Sequence, residues 1–252
     1  MNNEMTVAVI VPVYNGMYTI ERAIASVQKQ TYTKWHLYVI NDASTDNTLN
    51  ILKKYDKEPK ITIINLKRNA GAANARNEAI KLSEEEYIAF LDADDEWHDN
   101  KLSMQMDSIV NDNINVVCSF YNYIKGETCV TISTKLRYLS MDDFLKKKFR
   151  VCFSSLIFKR PKENILFNNM GHEDFYFIYL LLKEYDLLSV IRQPVVNYYE
   201  VSGSLSRNKQ KAAGWHYKIL TKIFNGEKMK VSIYYIYYVL NGIRFTLQVK
   251  RK

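Results

Sequence analysis

Residues 6–16 read TVAVIVPVYNG, a β-branched and apolar run from Thr6 to Val13 that breaks into the polar turn Tyr14-Asn15-Gly16. A near-continuous apolar run suits a strand covered on both faces, as in a parallel sheet. The chain then switches period. Ile20, Ala23, Ile24 and Val27 follow helical spacing, and His36 to Ile40 is again strand-like. Leu49, Ile51, Leu52 and Tyr55 mark a second helix with Ser44 or Thr45 as its cap, followed by a third strand over Ile61 to Leu66. Ala72 to Leu82 is helical, Tyr87 to Leu91 is a fourth strand, and Asp99 is placed to cap a helix carrying Leu102, Met106, Ile109 and Val110. This alternation predicts an α/β fold of three layers, with a mostly parallel central sheet between helices.

The second half is less regular. Val116 to Tyr123 reads as a strand, Ser140 with Asp143 caps a short helix through Lys148, and Ser155 to Phe158 is a short strand. Glu173 to Tyr185 has the length and apolar content of a mostly buried helix; Val195 to Tyr199 is strand-like, and Ser202 to Arg207 a polar loop.

Charge divides the chain sharply. From Arg207 to Lys252 there are 11 Lys/Arg against the single acid Glu227, a balance of +10, while the first 206 residues carry 24 basic and 26 acidic residues, −2. A basic tail on a neutral body points to a local surface contact and away from nucleic acid. Cys118, Cys129 and Cys152 fit no zinc spacing and read as reduced packing residues of a cytoplasmic protein. The N-terminal residues lack the basic start and long apolar run of a signal peptide.

Each early strand ends in a polar cluster: Tyr14-Asn15-Gly16, then Asn41-Asp42-Ala43-Ser44-Thr45-Asp46, then Arg68-Asn69-Ala70-Gly71 leading to Arg76-Asn77, and finally Asp92-Ala93-Asp94-Asp95. In an open parallel sheet, ligands sit beyond the carboxyl ends of the strands. Asp92 and Asp94, two residues apart just past a strand, can present two carboxylates to a hard divalent cation, with a diphosphate supplying further oxygens. Asp95 and Glu96 are read instead as an acidic helix start favoured by the macrodipole. Arg76 could hold a phosphate oxygen or be an exposed helix arginine, and Asp42 could accept from a base N–H or serve a turn.

At these residues the chain resembles the family 2 glycosyltransferases, whose fold is the GT-A fold. The matching segments are Val9-Ile10-Val11-Pro12-Val13-Tyr14-Asn15, the Asn41–Asp46 and Arg68–Asn77 clusters, Phe90-Leu91-Asp92-Ala93-Asp94-Asp95, and Gly171-His172-Glu173-Asp174, which together span roughly residues 6 to 207. The resemblance implies a GT-A-like fold and an inverting transfer of one sugar from a nucleotide-sugar, most often a UDP-sugar, to a hydroxyl of a glycan or lipid-linked glycan. It implies a nucleoside pocket of Pro12, Tyr14, Asn15 and Asp42, with Asp42 facing the base. Arg76 would then lie near the diphosphate, Asp92 at the ribose or sugar, and Asp94 on Mn2+ or Mg2+. Asp174 would be the general base, with Glu173 beside it. Without the resemblance, Glu173-Asp174 reads as a plain acidic helix start.

Two departures stand out. Where the family often carries Arg and, two residues later, a metal-binding His, this chain has Tyr199 and Val201. His172 is either a local substitute or, as a histidine in a loop, a surface residue. An acid often found shortly after the first strand is Met17 here. Ser204, Ser206, Arg207 and Lys209 form either a lid or a solvated loop.

The expected organisation is a catalytic domain over residues 1–206, with a nucleotide-binding half (1–97) and an acceptor half (98–206), followed by a basic, aromatic, helical and amphipathic tail (207–252). From Met229 the tail is rich in tyrosine and apolar residues, but Asn241, Gly242 and Arg244 interrupt it, which argues against a spanning helix. Two readings of it stay open: a segment in the membrane interface, which would make this a peripheral enzyme on the inner face of the cytoplasmic membrane, or packing of Tyr234, Ile236, Tyr237 and Leu240 on the domain. The absence of a Gln-x-x-Arg-Trp segment favours single-sugar addition. Competing functions are a scaffold that keeps the fold and binds a partner glycosyltransferase, and a sugar nucleotidyltransferase, which would need a Gly-rich basic loop after the first strand that this sequence lacks.

Overall fold

The protein is described by a computed structural model that covers residues 5–200 and 209–250. Strand β1 (Val7–Val13) is fully buried and pairs in parallel with β2 (Trp35–Asn41) on one side and β4 (Tyr87–Phe90) on the other; β2 pairs in parallel with β3 (Ile61–Asn65). The crossovers carry α1 (Ile20–Gln28), α2 (Thr48–Leu52) and α3 (Ala72–Leu82). The apolar run at residues 6–13 therefore sits inside the parallel part of the sheet because it has no polar face to offer to water.

Beyond β4 the sheet turns mixed. Its path is β3-β2-β1-β4-β9-β6-β10-β5, with β9 (Ile157–Lys159) antiparallel to both β4 and β6 (Val116–Lys125). Strand β6 runs parallel to the long β10 (Leu187–Tyr199), through two register shifts around Pro194, where a missing N–H interrupts the ladder. Strand β5 (Glu96–Trp97) pairs antiparallel with β10; β7 (Thr128–Ile132) pairs with β6 and β8 (Tyr138–Ser140) with β10. One continuous sheet thus joins both halves of the chain.

Helix α4 (Lys101–Asp112) is preceded by Asn100, which makes no side-chain cap; the expected cap Asp99 instead gives its carbonyl to the Thr31 N–H at 2.8 Å. Ser44 and Thr45 likewise do not cap α2, which starts at Thr48 with Asp46 Oδ1 accepting the Thr48 N–H at 2.9 Å. The reciprocal capping box of Ser140 and Asp143 forms as the sequence implies, on α5 (Met141–Leu145). Helix α6 (Glu173–Tyr185) has the predicted ends. Cys118 and Cys152 are buried packing residues, whereas Cys129 is exposed on β7, on the face its alternating neighbours turn to water.

The tail forms two helices, α7 (Lys209–Ile223) and α8 (Lys228–Lys250), and α8 continues through Asn241, Gly242 and Arg244. No helix of the described residues is long and apolar enough to cross a membrane. One face of α8 packs on the body: the Tyr234 hydroxyl donates to Asp142 at 2.9 Å, Asn241 Nδ2 to the Lys146 carbonyl at 2.8 Å, and the Phe245 ring meets Tyr123 edge-on at 5.7 Å. Of the four residues expected to pack together, only Tyr234 does so; Ile236, Tyr237 and Leu240 are exposed. With Met229, Ile233, Ile236, Leu240, Ile243 and Leu247 on its other side, α8 exposes an apolar stripe at alternating three- and four-residue spacing. Residues 1–4, 201–208 and 251–252 lie outside the described residues, among them the Ser204, Ser206 and Arg207 lid and the 206/207 boundary.

His216 fastens α7 to its neighbours. It is fully buried, stacks on Tyr238 at 4.0 Å and meets Phe175 edge-on at 4.6 Å, and neither ring nitrogen has a hydrogen-bond partner. Burial, helped by the Lys147 charge, pushes its pKa down to about 2, so the ring is neutral in the folded state. The unfolded chain takes up a proton below the ordinary histidine value of 6.5. This part of the stability is therefore present above that value and is lost as pH falls through it. Between about pH 7 and about pH 5, the unfolding free energy of the wild type should drop by up to about 2 kcal/mol more than that of His216→Phe. Urea titrations at the two pH values measure the difference, and parallel slopes would show that the folded protein accommodates the imidazolium.

Candidate active site

At the carboxyl ends of the parallel strands, the turn after β1 is latched to the loop after β2. Asn15 adopts a left-handed φ of 52°, its N–H donates to Ser44 Oγ at 2.9 Å, and its Oδ1 accepts from the Thr45 N–H at 2.8 Å. Pro12 is buried within β1, and Tyr14 is half-exposed beyond it. Asp42 is buried, and its two carboxylate oxygens accept the N–H groups of Ala70 at 2.9 Å and Gly71 at 2.8 Å. Each oxygen keeps a further lone pair, but the first job of Asp42 is to fix the loop that starts α3. Gly71, with φ of 89°, makes the turn that a side chain would strain.

That loop aims Arg76. Its guanidinium is buried, with Nη2 2.5 Å from Asp92 Oδ1, and it lies over the rings of Phe153 at 4.9 Å and Phe167 at 5.4 Å. It is therefore not an exposed helix arginine. Asp92 is held in turn: its N–H donates to Ser154 Oγ at 3.1 Å, and the Ser154 hydroxyl donates to Asp95. Trp97 Nε1 donates to the Ser154 carbonyl at 2.7 Å, which fixes the serine from below. Asp95 is fully buried and also accepts the Tyr199 N–H at 3.2 Å. Burial and the neighbouring carboxylates hold its pKa well above the usual carboxylate range. Asp95 and Glu96 are therefore no helix start: Asp95 is an internal brace and Glu96 lies in β5, because α4 begins only at Lys101.

Asp94 is held through its backbone. Its backbone carbonyl accepts from Arg22 Nη2 at 2.5 Å, and the same guanidinium stacks on Tyr199 at 3.8 Å. Tyr199, standing where the family often has an arginine, thus braces the acidic triplet. Burial, then the Asp92 charge, pushes the Asp94 pKa up to about 6. Two carboxylates that crowd each other make an all-oxygen donor set suited to a hard divalent cation. Among the described residues, no group of three or more His, Cys, Asp and Glu could hold a metal by itself. The residues fit a Mn2+ or Mg2+ ion that also takes oxygens from a bound diphosphate.

A cavity of about 530 Å³ opens beside this cluster, lined by Arg76 and Asp92 together with Glu173 and Asp174 of the first turn of α6. Pro12, Tyr14, Asn15, Asp42 and Asp94 lie outside its wall. Burial raises the Glu173 pKa. His172 begins α6 with φ of 60° and is half-buried against Trp215 at 6.1 Å, which corrects the expectation of a surface residue: α7 covers it. Gly171 admits that cover, since a Cβ there would sit 1.9 Å from the Trp215 ring. Sequence reasoning missed Arg22, Ser154, Lys147, Arg150 and Trp215. The only local signal among them was the basic run Lys146-Lys147-Lys148-Phe149-Arg150.

Residues 8–177 match the profile described as Glycosyl transferase family 2. The chain is 31% identical to UDP-Glc:alpha-D-GlcNAc-diphosphoundecaprenol beta-1,3-glucosyltransferase WfgD of Escherichia coli over 243 residues, 96% of this chain and 93% of that protein. Its fold is similar to the crystal structure of S. aureus TarS 1–349 in complex with UDP-GlcNAc, with a TM-score of 0.72 at 22% identity, covering 88% of this chain and 68% of TarS 1–349. It is also similar to the mannosyltransferase PcManGT of Pyrobaculum calidifontis in complex with GDP-Man and Mn2+, with a TM-score of 0.63 at 21% identity, covering 87% of this chain and 64% of that one.

Proposed function

This chain belongs to glycosyl transferase family 2 and is a glycosyltransferase of GT-A fold, and from that premise we propose that it moves one sugar from a UDP-sugar, with inversion, onto a hydroxyl of a lipid-linked glycan. One observation carries the reading: the Arg76–Asp92 pair, from α3 and the segment just after β4, and Glu173-Asp174, which open α6, line the same cavity. Inversion by one displacement needs these two chemistries apart. The acceptor oxygen attacks the anomeric carbon as the bond to the nucleoside diphosphate breaks on the opposite face. Asp174 takes the hydroxyl proton, and Glu173 holds the acceptor beside it. Arg76, oriented by Asp92, donates to the departing diphosphate, where negative charge grows. Asp92 also reaches the ribose or sugar, while Pro12, Tyr14, Asn15 and Asp42 shape the nucleoside pocket. Asp94, with Asp92 near it, would hold the Mn2+ or Mg2+, which supplies further neutralisation of the leaving group. The Mn2+ bound by PcManGT supports a divalent ion here.

The diphosphoundecaprenol-linked substrate in the name of the Escherichia coli relative supports a lipid-linked acceptor, and with it action at the inner face of the membrane. The exposed apolar stripe of α8 and the +10 tail suit contact with an anionic bilayer there. Residues 1–97 would bind donor and residues 98–206 acceptor. The test is incubation with a panel of UDP-sugars, Mn2+ and a GlcNAc-diphospholipid analogue, followed by mass spectrometry. The expected product is the acceptor plus one sugar, and no further additions. UDP binding without transfer to this acceptor would remove the acceptor assignment; failure to bind UDP would remove the donor assignment.

A further inference from the structure

Among the cations that line the cavity and that the transfer chemistry above does not use are two close in sequence, Lys147 and Arg150. Lys147 and Arg150 follow α5 and line the same cavity as Asp174. Neither forms an ion pair among the described contacts. Lys147 Nζ faces the rings of Phe175 at 5.1 Å and Tyr238 at 4.7 Å, and the Arg150 guanidinium lies 4.3 Å from the centre of the Phe245 ring. Cation–π contacts leave N–H donors free for an anion. Lys147 also has a left-handed φ of 49°, a conformation in which glycine would be the unstrained choice. A lysine kept in such a place, at a cavity wall, points to a role for its side chain.

We infer that Lys147 and Arg150 form an anion subsite that takes the diphosphate of the acceptor, apart from the donor diphosphate beside Arg76 and Asp92. This deepens the reading that the acceptor is lipid-linked and rests on it. The two sets of cations have different partners. Arg76 is bound to Asp92 and packed on Phe153 and Phe167, whereas Lys147 is enclosed by rings of α6 and α8 and feels the charge of Asp174. Burial, and then the Arg150 charge, push the Lys147 pKa down to about 7, and an anion bound between the two side chains would raise it again. An acceptor anchored here would have its sugar within the cavity that holds Asp174, and its lipid would leave past α8, whose Phe245 lines the same wall. A diphosphate would thus set the acceptor's register before the hydroxyl meets the base.

The probe is farnesyl diphosphate, an isoprenyl diphosphate with no sugar, titrated into full-length protein saturated with UDP and Mn2+, with farnesol as the comparison. Wild type should bind farnesyl diphosphate at least tenfold more tightly than farnesol. Lys147→Gln and Arg150→Gln should each weaken the diphosphate by roughly tenfold, leave farnesol and UDP affinities unchanged, and Lys147→Arg should restore most of the loss. Arg150 is exposed, so its variant keeps the test sound if a change at Lys147 disturbs folding. Equal binding of farnesyl diphosphate by wild type and both variants would overturn the subsite. A loss of UDP affinity in the variants, with the farnesyl diphosphate unaffected, would overturn it in favour of a donor-side role. Because the readout is binding of a sugar-free probe, a failure of the sugar-transfer assay would count against the proposed function and not against this subsite.

Discussion

Asp94→Asn should abolish manganese-dependent UDP binding and lower transfer by roughly 10²–10³-fold, about 3–4 kcal/mol of leaving-group stabilisation. The substitution is nearly isosteric and leaves the backbone carbonyl free to accept from Arg22 as before. It also removes one of two crowded carboxylates; burial, and then the Asp92 charge, lift the Asp94 pKa to about 6. The folded protein should therefore be as stable as the wild type or more so, and lost binding could not be blamed on unfolding. Calorimetry with UDP, with and without Mn2+, reads the first effect, and initial rates with a UDP-sugar read the second. A variant that kept manganese-dependent UDP binding would place the ion elsewhere. Asp92 would be the next residue to test, although its pair with Arg76 makes its removal ambiguous between lost metal and lost arginine orientation.

Asp174→Asn should lower transfer by roughly 10²–10⁴-fold, the usual worth of a positioned general base. UDP and manganese affinity should stay unchanged. Asp174 and Asp94 come from opposite halves of the chain, and only Asp174 lines the cavity. The split between lost turnover and kept donor binding is what separates a base from a structural acid at a helix start. As control, Glu173→Gln should cost less, because glutamine keeps the hydrogen-bonding shape with which Glu173 would hold the acceptor and Asp174 remains as the base. If Glu173→Gln proved the more damaging change, the two roles would be exchanged. If neither mattered, the base would lie outside α6.

Much of the order of elements was legible in the sequence. The strands before each polar cluster, the ends of α3 and α6, and the capping box of α5 follow from local periodicity and capping, which need no knowledge of distant residues. The strand-end rule then gathered Asp42, Arg76 and the acidic triplet at one edge. Local pattern failed where local signals compete. Asp99 looked like a cap, but its carbonyl serves Thr31; Asp95 looked like a helix start, but Ser154 and Tyr199 draw it into the core.

What the sequence by itself determined about this protein is therefore the order of strands and helices in the first half and the placing of its acids and arginine beyond strand ends, since 2.0- and 3.6-residue periods and turn chemistry are properties of neighbouring residues. The tertiary structure alone decided that β9 enters antiparallel between β4 and β6, that Ser154 and Arg22 hold the acidic triplet, and that Trp215 closes over Gly171. It alone also brought Lys147 and Arg150 to the wall that carries Asp174. The physical reason is that these pairings and contacts join residues from 40 to 72 positions apart along the chain. At such separations no periodic pattern survives, and the partner is chosen by which surfaces are left to bury once the sheet has formed.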